Sequence, residues 1–586
     1  MRVWAADFET NNSFEYNRVW AWGMMNISDE QENLDYGNDI GTFIDNILKF
    51  PNKSLIYFHN LKFDGTFIVS ELIKRGFQYD FDHELKKQKS FFCIIDDMNQ
   101  WYKISIRYRK KSVINIQDSA KKIPMPVSAM PKSFGIDIEK GNLDDKKEAG
   151  YDVIRKKGHM LTDFEIDYLK RDVVILKRTL KFMYDNGLKG MTIAADAMKM
   201  FQKFITKNDF DLLFPVIDYD MDEDLRKAYR GGWTYCVKNQ TVGEGLVFDV
   251  NSLYPSVLYS VTGNKEHLYP IGMPEYFKGK YKKDKSHPLY IQHFRATFVL
   301  REGYLPFLQK SSGFARNAKQ EYITEQFEVE DFYMTNVDLK MFQKHYKILT
   351  IEYVDGYKMQ GLMGMFDEYI DHFIDMKIKN NDNPGLRTLA KLYLNSLYGK
   401  FGMSKIRRSK YPEIEDDKLK LKMEMHGDKD YEMTDGYRVD VAAFCTAYAR
   451  EVTLTAAQEC HKHGRFCYAD TDSIHITGLE TPNIHVHRTE LGAWKNETVF
   501  KKAKFIRAKT YCEFGHDPYK NKPDKWDVKC AGMSKECKEE IVKMNNFPEI
   551  FDIGFTTDDY EKLKGKLRPI RTKTGTVLVE SSFSIK

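Results

Sequence analysis

Two carboxylates stand in the middle of an otherwise strand-forming run, Phe466-Cys467-Tyr468-Ala469-Asp470-Thr471-Asp472-Ser473-Ile474-His475-Ile476, and no other stretch constrains the chain as tightly. The aromatic and β-branched residues on either side read as two strands joined by a tight turn. Alternation along a strand puts Asp470 and Asp472 on one face, where two ionised carboxylates repel unless one is protonated or a cation lies between them. Magnesium suits such a place, because it takes a few carboxylates together with substrate phosphates. A solvated hairpin turn that happens to carry two acids is the alternative, and the rest of the chain has to decide between them.

At 586 residues the chain exceeds what one core usually holds, so two to four domains are expected. Its aromatic and aliphatic content supports folded domains rather than disorder. Lys and Arg number 90 against 85 Asp and Glu, so local clusters matter more than the small net charge. Basic clusters occur at Lys86-Lys87, Lys110-Lys111, Lys121-Lys122, Lys282-Lys283, Lys501-Lys502-Ala503-Lys504 and between Lys562 and Lys573, which suits a polyanion partner and ordinary solvated faces equally. Eight cysteines without a Cys-x-x-Cys pair do not make a disulfide framework and fit a reducing cytoplasm. Cys460-His461-Lys462-His463 followed by Cys467 matches no standard zinc spacing. The N-terminus is charged too early for a signal peptide, no apolar run is long enough to span a membrane, and no repeat is visible.

A second acidic site emerges near the N-terminus. Val3-Trp4-Ala5-Ala6 reads as a strand that runs into Asp7-Phe8-Glu9-Thr10, again with two acids on one side. After the apolar strand at Ser54-Leu55-Ile56-Tyr57-Phe58 comes Asp64, in what looks like the entry to a helix, and a helical stretch from Asp163 to Lys181 places Tyr168 and Asp172 on one face. Asp7, Glu9, Asp64 and Asp172 form a set able to hold two divalent ions about 3.5–4 Å apart, with Tyr168 placed to orient a water. Taken singly, each acid reads as ordinary solvated structure. Asp-x-Glu on the first strand, Asn60-x-x-x-Asp64 and Tyr168-x-x-x-Asp172 together resemble the three motifs of the 3′-5′ proofreading exonucleases of DNA polymerases. That resemblance implies a ribonuclease H-like exonuclease domain, with Thr10, Asn60 and Ser119 on the single-stranded primer end and Lys140 assisting catalysis. Ala120 stands where that family usually has leucine.

Further along, Gly245-Leu246-Val247-Phe248-Asp249-Val250-Asn251-Ser252-Leu253-Tyr254-Pro255 gives an apolar strand, an acid at its end and a turn into a helix, so Asp249 can join Asp470 and Asp472 in a second two-metal site. Between these acids, Gly385 to Gly399 has helical periodicity. Leu386, Leu389, Tyr393 and Leu397 form an apolar stripe, Arg387, Lys391, Asn395 and Tyr398 line the other side, and Gly399 is expected to close the helix. A cationic stripe beside a metal site suits a triphosphate; an ordinary surface helix would have the same pattern.

Asp-x-x-Ser-Leu-Tyr-Pro, Lys-x-x-x-Asn-Ser-x-Tyr-Gly and Tyr-x-Asp-Thr-Asp-Ser, in that order, resemble the palm and fingers of family B DNA polymerases. The resemblance implies metal contacts from Asp249, the adjacent Val250 and Asp472, with Asp470 more structural than ligating. It implies Lys391 on the phosphates of an incoming deoxynucleotide, Lys379 and Arg387 as further basic nucleotide-binding positions upstream, Asn395 and Tyr398 near the nascent base pair, and Tyr254 beneath the sugar, excluding a ribose 2′-hydroxyl. Tyr229-Arg230-Gly231-Gly232 and the Lys509-x-Tyr511 pair are implied as DNA contacts.

Motif order and short length narrow the resemblance to the protein-primed, bacteriophage-type branch of that family. The implied fold is α/β and multidomain, an exonuclease followed by a right-hand polymerase. Its parts would be exonuclease over 1–190, palm over 191–260 and 435–530, an insertion contacting terminal protein and DNA over 261–366, fingers over 367–402, a second insertion over 403–434 forming a β-hairpin clamp that separates strands, and thumb over 531–586. The implied protein is a monomeric, processive, strand-displacing replicase in the cytoplasm of an infected bacterium. It would use two Mg2+ ions per site, or Mn2+, with primer-template DNA, displaced single strands and a terminal protein as partners. Polymerisation primed by nucleic acid alone, a metal-dependent nuclease whose C-terminal half only binds DNA, and a non-catalytic DNA-binding scaffold are the competing readings.

Overall fold

The computed structural model describes residues 2–109, 112–141, 153–309, 322–434 and 437–586, so the Lys110-Lys111 pair lies outside the described residues. Its first unit is an eight-stranded sheet in the spatial order Asp35–Gly37, Val19–Asn26, Val3–Thr10, Ser54–Phe58, Ser112–Asp118, Trp101–Arg109, Ser90–Ile95, Gln78–Tyr79. Val3–Thr10 and Ser54–Phe58 are parallel neighbours at its centre. All five residues of Ser54–Phe58 are buried, as a strand covered on both faces requires. One cover is the helix Asp163–Asp185, started by a capping box in which Thr162 and Glu165 satisfy each other's backbone N–H groups. Helix Leu61–Lys74 supplies another.

The second large sheet is antiparallel and runs Lys525–Cys530, Thr510–His516, Trp494–Arg507, Gly245–Val250, Ser473–Thr477, Phe466–Asp470, Thr234–Cys236. It lies against the long helix Val439–Lys462, whose buried face includes six alanines, Ala442, Ala443, Ala447, Ala449, Ala456 and Ala457, so that strands and neighbouring helices can approach closely. Helices Asp367–Lys379 and Pro384–Phe401 pack side by side. The latter continues through Gly399 and is capped at Gly402, because Leu397 and Phe401 are both buried and hold the last turn in place. The expected stop at Gly399 is therefore three residues early.

Residues 261–366 carry a separate four-stranded antiparallel sheet, Tyr269–Lys278, Tyr346–Leu362, Leu289–Leu300, Glu325–Thr335, and the helix Asn336–His345. Residues 403–434 carry the hairpin Lys410–Glu415 with Lys418–Met423. It does not stand alone: Leu419 is buried in the apolar core of the first sheet, with Ile414 and Leu421 packed beside it. A C-terminal hairpin, Leu567–Arg571 with Thr576–Glu580, lies against the first unit. There Asn12 exchanges two hydrogen bonds with the Leu578 backbone (2.8 and 2.7 Å), and Asn17 donates to Thr572 Oγ1 at 2.8 Å.

One continuous apolar core joins most of these parts. It contains Trp20, Tyr57 and Leu169 of the first unit, Phe294 and Phe342 of the inserted sheet, Leu389 and Tyr393 of the helix pair, and Phe444 and Ile474 beneath the second sheet. Among the described residues no helix is long and apolar enough to cross a membrane.

Candidate active sites

Strand Val3–Thr10 delivers Asp7 and Glu9 to the side covered by helix Asp163–Asp185, which delivers Asp172. Carboxylate oxygens of these three residues lie within 4.8 Å of one another. Asp64 joins them from the first turn of Leu61–Lys74, buried and close enough to feel Asp7 and Glu9. Burial, then the Asp172 charge, pushes the Asp7 carboxyl up to about 7. Burial and Asp7 hold Asp64 well above the usual carboxylate range. Hard, all-oxygen donors whose ionisation is resisted until a cation arrives fit Mg2+ or Mn2+. Lys140 donates to Asp172; burial works against its charge, but Asp172 and Asp7 outweigh that and raise its pKa. Tyr168 is buried on the same helix, one turn before Asp172.

The residues expected on a single strand divide. Thr10 ends the strand and is buried, while Asn60 is exposed in a left-handed conformation (φ 72°) that turns the chain from strand into helix and aims Asp64 inward. Its N–H donates to Asp118 Oδ1 at 2.9 Å. Ser119 is fully buried; its hydroxyl donates to the Phe58 carbonyl (3.0 Å) and contacts His59 Nδ1 (2.9 Å). Its hydroxyl is thus committed to holding the strand end.

In the second sheet Asp249 lies between two antiparallel neighbours, paired with Ser473 on one side and Lys495 on the other. The turn from Asp470 to Ser473 brings Asp472 to it, and the Val250 N–H donates to the Asp472 carbonyl at 2.8 Å. Burial, then Asp472 and Glu497, pushes the Asp249 carboxyl up to about 8, and burial likewise raises Asp472. Asp470 is differently engaged. It accepts from Thr234 Oγ1 at 3.0 Å and is ion-paired with Lys509, so its charge is already compensated and Asp249 and Asp472 are the pair that lacks a cation.

The turn is strained. Thr471, a β-branched residue, sits at φ 61°, a conformation that costs on the order of 1–3 kcal/mol. Its N–H donates to the Trp233 carbonyl (2.8 Å) and its carbonyl accepts from Thr453 Oγ1 (2.6 Å). Gly232 is needed beside it, since a Cβ there would come within 2.8 Å of Thr471 Cγ2; nothing crowds Gly231. Behind the same turn Arg450 donates to the carbonyls of Arg230 (2.7 Å) and Gly231 (2.8 Å) and pairs with Asp338 at 2.7 Å. Asp338 is completely buried and thus ties the inserted sheet's helix to the turn.

Helix Pro384–Phe401 faces this site. Tyr398 stacks on Tyr254 with ring centroids 4.1 Å apart and planes inclined by 18°. A cleft of about 600 Å3 opens beside the acids, lined by Asn251, Lys377, Arg387, Arg488 and Lys495. Burial, then Lys391, Arg387 and Lys495, lowers the Lys377 pKa, which marks a cluster of cations without enough negative charge. Lys379, expected as a basic nucleotide-binding position, is exposed and paired with Asp375 one turn back; Lys377, two residues earlier, occupies the cleft instead. Asn395 is exposed on the same helix. We expect Lys377→Ala to raise the KM for deoxynucleotides roughly 10- to 100-fold, the value of a charge-assisted contact, and Lys379→Ala to change it less than about twofold, measured by steady-state primer extension.

Lys509 holds a left-handed backbone (φ 61°) and donates its N–H to Tyr468 Oη at 3.0 Å. Tyr511 is buried against Tyr468 at 4.8 Å between ring centroids, and Tyr229 is half-buried with its ring against Gly402. Sequence reasoning missed Glu497. It falls at the bulge where Val247 pairs with Thr498 and the next residue, Phe248, with Asn496, so that its charge reaches both Asp249 and Asp472.

Residues 47–490 match the family described as DNA polymerase type B, organellar and viral. The DNA polymerase of Bacillus phage Nf is 38% identical over the whole of both chains. That of Bacillus phage phi29 is 38% identical over all of this chain and 99% of its own, and that of Streptococcus phage Cp-1 is 30% identical over all of this chain and 98% of its own. The solved structure of the phi29 DNA polymerase complexed with primer-template DNA superposes over the full length of both chains with a TM-score of 0.89 at 36% identity. The complex of the same enzyme with single-stranded DNA gives 0.88, again over both full chains at 36% identity. With its two acidic sites on two sheets and a cationic helix facing the second, the chain belongs to the family B DNA polymerases of organellar and viral type and is a DNA-directed DNA polymerase of the phi29 kind.

Proposed function

We propose that the enzyme is a protein-primed, strand-displacing phage replicase with a 3′-5′ proofreading exonuclease, acting in the cytoplasm of its bacterial host. The observation that carries this reading is the presence of two separate carboxylate clusters, Asp7, Glu9, Asp64 and Asp172 on the first sheet and Asp249 with Asp472 on the second. In the proposed division, residues 1–190 are the exonuclease and 191–260 with 435–530 the palm. Residues 367–402 are then the fingers and 531–586 the thumb, with insertions over 261–366 and 403–434.

Divalent metal ions held by Asp249, Val250 and Asp472 would supply charge neutralisation at the transferring phosphate and acidify the attacking 3′-hydroxyl; Mg2+ is the proposed ion, two per site. Lys377, Arg387 and Lys391 draw the triphosphate into the cleft and oppose the charge that develops on the leaving pyrophosphate. Lys509 neutralises Asp470 and keeps it from competing for the ions. At the other site Tyr168 orients the attacking water and Lys140 steadies Asp172. Primer-template DNA and single strands are the proposed substrates, as in the phi29 complexes, and a terminal protein is the proposed primer.

Tyr254, fixed by its stack on Tyr398, is the proposed barrier to a ribose 2′-hydroxyl beneath the sugar. Tyr254→Val should therefore lower the preference for deoxynucleotides over ribonucleotides by roughly two orders of magnitude, about 2–3 kcal/mol of steric discrimination, read as the ratio of kcat/KM values.

The test of the whole reading pairs two assays with Mg2+ and all four deoxynucleotides: attachment of a deoxynucleotide to purified candidate terminal protein, and extension of an ordinary DNA primer. Both activities establish the replicase. Extension with no attachment to any cognate protein leaves a polymerase primed by nucleic acid, and loss of primer without extension at any nucleotide concentration points to the nuclease.

A further inference from the structure

The second insertion is expected from the resemblance to be a β-hairpin clamp, and in the structure its hairpin is built onto the edge of the first sheet. Leu419, Ile414 and Leu421 pack into that sheet's core. Tyr411 lies with its ring 5.5 Å from Tyr79 and 4.9 Å from Phe81. Lys410 Nζ donates to the Asp97 carbonyl (2.7 Å) and Asn99 Oδ1 (2.9 Å), and Ser409 bridges to Asp96. At the hairpin's base Glu424 is completely buried, and His83 Nε2 lies 2.9 Å from its carboxylate across the junction, close but without hydrogen-bond geometry. At its tip Asp417 pairs with Lys573 of the C-terminal hairpin at 2.8 Å, and that hairpin is itself fastened to the first unit through Asn12 and Asn17.

A two-stranded hairpin is at best marginally stable in water and would yield to a DNA fork pressing on it. Here it is fixed at base, flank and tip, and two of the three fixings come from the first sheet. Burying an acid whose oxygens find no hydrogen-bond donor is unfavourable, so the packing of the seated hairpin is what keeps Glu424 against His83. We propose that the edge of the exonuclease sheet is the foundation that keeps this hairpin rigid against the duplex ahead, with Glu424 and His83 as its positioning pair. Strand displacement then depends on the exonuclease unit through its edge, independently of the acids on its far strand. The inference rests on the reading of residues 403–434 as the strand-separating insertion.

The test uses the full chain with all metal-ligand carboxylates intact, comparing the unaltered enzyme with Glu424→Ala, Glu424→Gln, His83→Ala and the surface variant Tyr411→Ala. Three rates are measured: extension on a primed single-stranded circle, extension through a downstream blocking strand, and degradation of a free single strand. Backbone amide exchange over residues 410–423 is followed in parallel. We expect extension through the blocker to fall tenfold or more in Glu424→Ala, His83→Ala and Tyr411→Ala, with the other two rates within twofold and hairpin exchange faster. Glu424→Gln, which keeps the shape and a polar contact to His83, should recover part of the loss. Unchanged blocker extension, or a parallel fall in all three rates, overturns the positioning role. Arrest of the unaltered enzyme at the blocker removes instead the strand-separating reading on which the proposal stands.

Discussion

Asp249→Ala is expected to lower nucleotide incorporation by about 10³-fold or more, the loss of several kcal/mol of charge stabilisation at the transferring phosphate. Degradation of single-stranded DNA by the same variant should stay within about twofold of the unaltered enzyme. Asp472→Ala should behave identically, because the two carboxylates share one uncompensated pocket, whereas Asp470, already paired with Lys509, is a separate case. Burst and steady-state extension of a labelled primer, run beside release of mononucleotides from a single strand, gives both numbers. Normal synthesis by the Asp472 variant would place the chemistry elsewhere.

Asp7→Ala combined with Glu9→Ala should produce the mirror image, a loss of about 10³-fold in degradation with synthesis unchanged. A physical by-product follows from the Asp7 carboxyl, which burial and Asp172 push up to about 7. A carboxyl raised in the folded state favours folding in its protonated form, so its contribution is fully present below the unfolded value near 4 and is lost as pH rises through about 7. In chelator the double variant should therefore melt higher than the unaltered chain above pH 7, and the difference should vanish toward pH 4. A melting temperature that falls at pH 8 would mean that these acids support the fold.

The acids were legible because each sits where a two-residue period or a helical turn leaves no choice of face: Asp7 and Glu9 on one strand, Asp172 one turn after Tyr168. The stack of Tyr254 on Tyr398 was not read from the sequence, since nothing local tells two tyrosines 144 positions apart that they meet. Lys379 was read only as a basic position that matches the family. It is the last residue of its helix, where two residues' difference rotates a side chain to the opposite face, and pairing with Asp375 turns it outward. Ser119 was read as a DNA contact from its motif alone, and the buried strand end beside it has no local signature. Glu497 was invisible because its approach to Asp249 depends on a bulge in pairing between distant strands. Asp338 drew no structural reading from the sequence; its partner Arg450 lies on a helix more than a hundred residues away, beyond any local pattern.

Under the proposed function the continuous core has a consequence for error correction. Trp20 and Leu169 belong to the same packed interior as Leu389 and Phe444, so the two acidic sites are set apart in one continuous core. A primer end that leaves one for the other has to do the travelling itself, unpairing several bases and crossing as a single strand. The decision to excise is then timed by the nucleic acid: a mispaired terminus frays sooner than a matched one, and the protein's part is to keep the distance fixed, so that the race between fraying and the next addition is always run over the same course.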